Sequence, residues 1–332
     1  MIWYKENNND IIISTRIRLA RNLENIPFPN ALKDKTDAIE NIKNAIFNSN
    51  STLSKELNYI NLSDISKNEA LRLSEEHLIS PQMLDGNDRS VFISNDKTMS
   101  IMLMEEDHIR LQVISKGDTI DESFDIANKI DDVLEESLNY AFDEDFGYLT
   151  SCPTNAGTGL RASYMMHLPA LTLTSNINKV IASAGSLGIA VRGLYGEGSA
   201  AQGNLYQISN QITLGLSEEE IIDRLKTVAK RIFDMEKRAR ENLMASQETA
   251  LSDKVYRSYG ILKFARSLTS NEAKSLLSDV MLGISMGIIK EIPKKPPVEC
   301  MVLSSPSFIA ENENLTPQHR DIKRAEMIRE NL

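Results

Sequence analysis

The chain has 332 residues, 41% apolar and 25% charged, a composition that excludes wholesale disorder and suits a large catalytic-sized domain with a smaller companion. With 37 Lys and Arg against 47 Asp and Glu, its net charge of −10 argues against a nucleic-acid coat, and its two cysteines, Cys152 and Cys300, cannot form a disulfide scaffold. No apolar run reaches the ~18 residues of a membrane span and the N-terminus lacks a signal peptide's apolar centre, so a cytoplasmic protein is expected, away from nucleic acid and membrane.

In chain order, Asp10–Thr15 predicts a strand entering an arginine-rich segment. Ala38, Ile39, Ile42, Ala45 and Ile46 have helical spacing. A β-meander comes next: Val91–Ser94, a turn at Asn95–Lys97, Thr98–Met104, an acidic corner, then His108–Ser115. Thr119 and Glu122 have the spacing of a capping box before a helix with Phe124, Ala127, Ile130, Leu134 and Leu138 on one face. Ser217 and Glu220 repeat that signal before Ile221, Ile222, Leu225, Val228, Ala229, Ile232 and Phe233, and the charged continuation Glu236–Asn242 reads as a solvated helix end. Beyond about residue 246 the pattern is helical, over Leu251–Arg266, Asn271–Ile289 and Pro317–Leu332. The expected fold is α+β: an antiparallel sheet flanked by helices over residues 1–245, then a small all-α domain over residues 246–332.

Arginine suits phosphate oxygens, because its planar fork donates two parallel charged hydrogen bonds and keeps its proton. Arg16 and Arg18, two apart in an extended segment, fall on one strand face. Arg110 comes after the acidic corner Glu105-Glu106-Asp107, Arg161 after the glycine-rich Asn155–Leu160 turn, and Arg192 opens a second glycine-rich stretch. Any one of them reads as a surface charge; together they suggest a polyphosphate site. No P-loop or complete dinucleotide fingerprint occurs, so guanidinium groups would have to take over the usual work of backbone amides and a lysine.

The segments S-T-R-I-R-L-A-R-N (14–22), E-E-D-H-I-R (105–110), C-P-T-N-A-G-T-G-L-R-A-S (152–163), R-G-L-Y-G-E-G (192–198) and Y-Q-I-S-N-Q-I-T-L-G-L (206–216) occur in an order that resembles the bacterial protein arginine kinases (the McsB family), relatives of the phosphagen kinases. The resemblance implies a phosphagen kinase or glutamine synthetase-like catalytic domain. An arginine motif beginning at residue 14 leaves no room for the helical domain that precedes it in the small-molecule enzymes, and R-D-I-K-R-A (320–325) resembles the R-D-x-x-R-A motif of the protein kinases.

By that resemblance, Arg16, Arg18, Arg110, Arg161 and Arg192 clamp ATP phosphates and the moving phosphoryl group. Nucleotide contacts extend to Ser14, Thr15, Ile17, His77, Ala162, Ser163, Tyr164, Met165, Gly193, Leu194, Tyr195 and Gly196. Glu106 and Glu197 grip the substrate guanidinium, and either can serve as the base. Cys152 matches the active-site cysteine. Arg320, Asp321, Arg324 and Ala325 form an allosteric phosphoarginine pocket in a dimerising domain. Met165 stands where the small phosphagen kinases have an adenine-contacting histidine, with His167 two residues later; a thioether also packs an aromatic ring. The implied cosubstrate is ATP with Mg²⁺ held through its phosphates, and no protein metal site is expected. The implied partners are protein substrates, a zinc-binding activator, a heat-shock repressor, a Clp unfoldase and a second copy of the chain. Two other functions fit less of the pattern: a phosphagen kinase acting on a free guanidino compound, and a non-catalytic phosphoarginine adaptor.

Overall fold

The computed structural model describes residues 2–5, 9–49, 51–85, 88–193, 201–310 and 315–332. Chain order begins with β1 (Ile12–Arg21), α1 (Thr36–Phe47), α2 (Leu53–Glu56), β2 (Leu57–Asn61) and α3 (Lys67–Glu75). The predicted meander is β3 (Ser90–Ser94), β4 (Met99–Leu103) and β5 (Ile109–Lys116), succeeded by α4 (Ile120–Glu135) and the short hairpin β6 (Phe142–Asp143) and β7 (Gly147–Tyr148). Next are β8 (Leu160–His167), α5 (Pro169–Leu173), α6 (Ile177–Gly185), β9 (Ile189–Gly193) and β10 (Leu205–Asn210). The remaining elements are helices: α7 (Glu218–Phe264), α8 (Ser270–Ser285), α9 (Pro297–Leu303), α10 (Pro306–Ala310) and α11 (Pro317–Asn331).

Eight strands form one sheet in the order β2-β3-β4-β5-β1-β8-β10-β9, and the β2–β3, β3–β4 and β4–β5 pairs are antiparallel. The architecture is the expected α+β arrangement of an antiparallel sheet with helices. β1 extends through Arg21, so the arginine-rich segment lies within the strand instead of beyond its end. No helix among the described residues is long and apolar enough to cross a membrane.

The chain divides into two compact units. The first comprises Met1–Trp3, Thr15–Ser163 and Ser209–Leu225. Here α1 buries the five residues its spacing selects, Ala38, Ile39, Ile42, Ala45 and Ile46. Leu78, Ile79 and Met83 pack with Val91, Ile93 and Met102 as a core cluster, each fully buried large aliphatic side chain contributing about 1.5–3 kcal/mol. Gly157 has φ +102°, and a Cβ there would collide with the Thr213–Leu214 backbone, so only glycine lets the segment after Cys152 lie against that strand exit. Ser217 and Glu220 form the expected reciprocal cap, at 3.2 and 3.0 Å. Thr119 does not cap α4: its hydroxyl is taken by Ser115 Oγ at 2.6 Å, a competing local partner.

The second unit comprises Tyr4–Ser14, Tyr164–Ile208 and Lys226–Leu332. Its main departure from expectation is Glu236–Asn242. Glu236 is fully buried and Arg240 is 6% exposed. The Glu236 carboxylate accepts the Ala170 and Leu171 N–H groups at 3.0 and 2.9 Å, neutralising the opening turn of α5, and it accepts Arg240 Nε at 2.8 Å. Arg240 also donates to Asp10, and to Ser285 Oγ at 3.0 Å. Lys237, Arg238, Glu241 and Asn242 are exposed as a solvated face should be, but Glu236 and Arg240 turn inward as a buried ion pair, and the helix continues to Phe264 with one non-helical residue, Gln247.

Candidate active site

The period of two in β1 turns Arg16 and Arg18 to a partly accessible face while the alternate residues Ile17 and Leu19 are fully buried. β1 lies between β5 and β8 in the sheet, so Arg110 on β5 and Arg161 on β8 flank that pair from adjacent strands. The four guanidinium groups share one electrostatic environment. Burial, then the charges of Arg161 and Arg110, lower Arg16 from its ordinary value to about 9. Burial, then the charges of Arg16, Arg110 and Arg161, push Arg18 well below its ordinary value, with Glu105 opposing. Guanidinium keeps its proton at neutral pH, so the depression expresses how strongly the clustered positive charge requires an anion. Arg18 Nε is buried with no hydrogen-bond partner among the described residues. Arg161 Nη2 donates to Ser209 Oγ at 3.3 Å.

The acidic corner between β4 and β5 separates into three roles. Glu105 is buried; it accepts Arg110 Nη1 and the Ser80 hydroxyl, and burial, which raises its pKa, is outweighed by Arg110, Ser80 and the Glu106 N–H together, so the carboxyl is held below its usual range. Asp107, fully buried, accepts Asn22 Nδ2 and the Ser151 N–H, both at 2.7 Å. Glu106 is left half-buried, and no described side chain makes a salt bridge with it. Burial pushes it above the ordinary glutamate value, Arg110 opposes this, and Asp107 and Glu105 add to the rise. Of three adjacent acids, two are consumed in holding the site and one is presented.

Asp107 also ties the corner to the segment carrying Cys152. The Cys152 carbonyl accepts the Thr150 hydroxyl at 2.7 Å and its thiol meets Thr154 Oγ1 at 3.0 Å. Asn22 completes the frame, accepting the His108 N–H at 2.9 Å and donating to Leu149 O at 3.0 Å.

The other expected residues occupy varied settings. Thr15 bonds Gly117 O at 2.6 Å; Ile17 and Ala162 are wholly buried, and the Ala162 N–H donates to Asn210 Oδ1 at 2.9 Å. Ser163 donates to Arg16 O at 3.4 Å. His77 is 8% exposed with a left-handed φ of 62°, and its ring meets Trp3 edge-on at 5.1 Å. Ser14, Tyr164, Met165, Arg192 and Gly193 belong to the second unit, with Ser14, Tyr164 and Met165 buried and Arg192 half-buried. His167 is fully buried against Ser278 at 2.8 Å. Leu194, Tyr195, Gly196 and Glu197 lie outside the described residues.

In α11, Arg320 and Asp321 are half-buried, whereas Arg324 is 2% exposed and Ala325 fully buried. Arg324 Nε donates to Ser304 O at 2.7 Å, and its Nη1 donates to Leu268 O at 2.8 Å and to Asp321. Sequence reasoning missed Ser80 and Ser209, and it singled out the corner Glu105-Glu106-Asp107 without separating the supporting Glu105 and Asp107 from Glu106. Ser80 and Ser209 lie 25 and 48 residues from the partners they meet, Glu105 and Arg161, so nothing nearby in sequence marks them. Among the described residues, no three His, Cys, Asp or Glu side chains gather as a metal site.

Residues 37–239 match the ATP:guanido phosphotransferase C-terminal catalytic domain, and residues 248–332 match the protein-arginine kinase McsB C-terminal domain. A protein-arginine kinase of Desulforamulus reducens is 48% identical, covering 98% of this chain and 92% of its own. One from Clostridium kluyveri is 48% identical, covering 99% and 96%. The crystal structure of lombricine kinase aligns with a TM-score of 0.60 at 26% identity, covering 70% of this chain and 68% of that one. Both domain matches and the near-complete coverage by these relatives place the chain in the protein-arginine kinase family.

Proposed function

We propose that this chain transfers the γ-phosphoryl group of MgATP to guanidinium nitrogens of arginine residues in proteins. The observation that carries the reading is the pairing of four crowded guanidinium groups with one presented carboxylate, Glu106. A triphosphate supplies the anion that the crowded Arg16 and Arg18 require, with Arg161 and the Glu105-paired Arg110 beside them, and Arg192 would join them. Mg²⁺ would arrive on the phosphate oxygens, the hard donors it prefers, and adds charge neutralisation there.

The acceptor is a poor nucleophile, because its lone pair is delocalised and the group is protonated. With a pKa of about 12.5–13.8, removing the proton at pH 7 costs roughly 7–9 kcal/mol. Glu106 meets this by accepting a guanidinium N–H as the N–P bond forms, and a pKa above the glutamate norm makes it a better base. Glu197 would align the other side of the fork. The arginines stabilise charge on the transferring group, and positioning supplies most of the remainder. Cys152, half-buried with its thiol on Thr154, would border the guanidinium, where its sulfur would be open to oxidation. His77 and Met165 would border the nucleoside.

In α11, Arg320 and Asp321 keep accessible charge for a phosphoarginine while Arg324 shapes the pocket from beneath. This reading includes a homodimer in the cytoplasm, a zinc-binding activator, a heat-shock repressor as substrate, and delivery of marked proteins to a Clp unfoldase during stress. The test is incubation with MgATP and either a casein-like protein or free arginine. Acid-labile, alkali-tolerant phosphate on protein arginine is expected. Transfer to free arginine alone would make the chain a phosphagen kinase, and phosphoarginine binding without transfer would make it an adaptor.

A further inference from the structure

Between β4 and β5 the chain turns through Met104–His108, closed by the Met104 N–H on His108 O at 3.1 Å. Met104 takes a left-handed φ of 58°, and its carbonyl accepts Arg89 Nε at 3.2 Å. Glu106 stands at the middle of that turn. On one side of it Glu105 is tied to Arg110 and Ser80; on the other, Asp107 and His108 are tied to the residues that leave β1. Three bonds make that second tie. Asn22 Nδ2 donates to Asp107 Oδ1 at 2.7 Å, Asn22 Oδ1 accepts the His108 N–H at 2.9 Å, and His108 Nδ1 accepts the Leu23 N–H at 3.0 Å. An accepting Nδ1 leaves the imidazole proton on Nε2, which donates to Pro27 O at 3.0 Å.

Asn22 is buried and its amide is fully used. Nδ2 gives its second hydrogen to Leu149 O at 3.0 Å, so one side chain meets a carboxylate, a backbone N–H and a backbone carbonyl. Those three contacts need two donors and an acceptor on one short stem, which only asparagine carries; aspartate would set two carboxylates face to face, and serine has one hydrogen to give. The Asn22 backbone is held as well, its carbonyl accepting the Ala141 N–H at 2.8 Å. Asp107 relies on this contact. Its Oδ1 also accepts the Ser151 N–H, whereas Oδ2 is buried with no hydrogen-bond partner among the described residues. Every residue of the network belongs to the first unit.

We propose that Asn22 is a positioning residue for phosphoryl transfer: its amide fixes Asp107 and His108 to the end of the strand that carries Arg16 and Arg18, and so holds Glu106 in one place relative to them. The same amide, through Leu149 O, sets the segment that leads to Cys152. The inference rests on the proposed role of Glu106 and adds to it the residue that aims the carboxylate.

The test is transfer from MgATP to a casein-like protein by the full chain, in steady state and single turnover, with nucleotide affinity read by calorimetry. Asn22→Ala should lower kcat about ten- to a hundredfold and change the Kd for MgATP by less than about twofold, because a small displacement of a reacting group is felt in the transition state. In a Glu106→Gln background the same substitution should cost less than about threefold, since the group it aims is gone; a purely structural role would cost the same in both backgrounds. The control is Ile42→Ala in α1, fully buried in the same unit; it should lower Tm and leave kcat intact below the melting transition. Unchanged kcat in Asn22→Ala, an equal loss in Ile42→Ala, or an undiminished loss in the Glu106→Gln background would overturn the proposal while leaving the kinase reading standing. Glu106→Gln at the wild-type rate, or a wild-type chain that places no phosphate on arginine, would overturn both.

Discussion

The sheet arginines and the arginine of α11 are the same side chain in opposite situations. Arg16 and Arg18 lie among like charges, and each is lowered by burial and by neighbouring guanidinium groups. Arg324 is more deeply buried, yet it is met by two backbone carbonyls and Asp321. The first arrangement costs stability and is favourable only with an anion; the second is a clamp joining α11 to the residues before α8 and after α9. A motif letter therefore does not distinguish an arginine that grips a ligand from one that holds the fold. The charges facing it do.

The largest expected effect separates these roles directly. Arg16→Gln should reduce kcat/KM about 10²–10³-fold, the usual loss for one transition-state donor, while leaving Tm unchanged or higher because a like-charge contact is relieved. Glu106→Gln should lose a comparable rate with the fold intact, read by circular dichroism beside the kinetic assay. Arg110→Ala is a poorer probe than its place in the motif suggests, since it also strands the buried Glu105 carboxylate; activity and stability should fall together. Arg324→Ala should cost roughly 2–4 kcal/mol in denaturant unfolding, because two carbonyls and Asp321 lose a charged partner. Its kinetic response to phosphoarginine can be read only after that loss is accounted for, and Arg320→Ala is the cleaner test of the pocket.

Smaller effects depend on pH. Glu106 must be ionised to accept a proton and its pKa is raised, so the acid limb of kcat/KM should lie above the glutamate norm and activity should fall as pH drops through it. Glu106→Gln should abolish that limb along with the rate. His167 is pushed well below its ordinary value by burial and then by Arg240. The folded chain keeps it neutral while the unfolded chain takes up a proton near pH 6.5, so stability is complete above that value and declines below it. Urea midpoints between pH 5 and 8 measure the decline.

Local patterns were readable where the physics is local. The spacing of α1 identifies all five of its buried residues, and alternation in β1 puts Arg16 and Arg18 on one face. The reciprocal cap at Ser217 depends on four consecutive residues and forms as expected. Where the partner is distant in sequence, the reading changes. Glu236 and Arg240 have the composition of a solvated helix face, but their partners are the α5 backbone and Asp10, which nothing nearby in sequence announces. The E-E-D corner shows three acids and cannot say which one is spare; Ser80, Asn22 and Arg110 decide that in three dimensions. Thr119 had the correct cap spacing and lost its role to a closer hydroxyl.

The most direct measurement is thermal unfolding of wild type and Arg18→Met, each with and without MgATP. The crowded-arginine reading predicts that Arg18→Met alone melts at the wild-type temperature or above and that its nucleotide-induced rise is largely lost. A variant that melts lower without nucleotide yet keeps the full rise would contradict it.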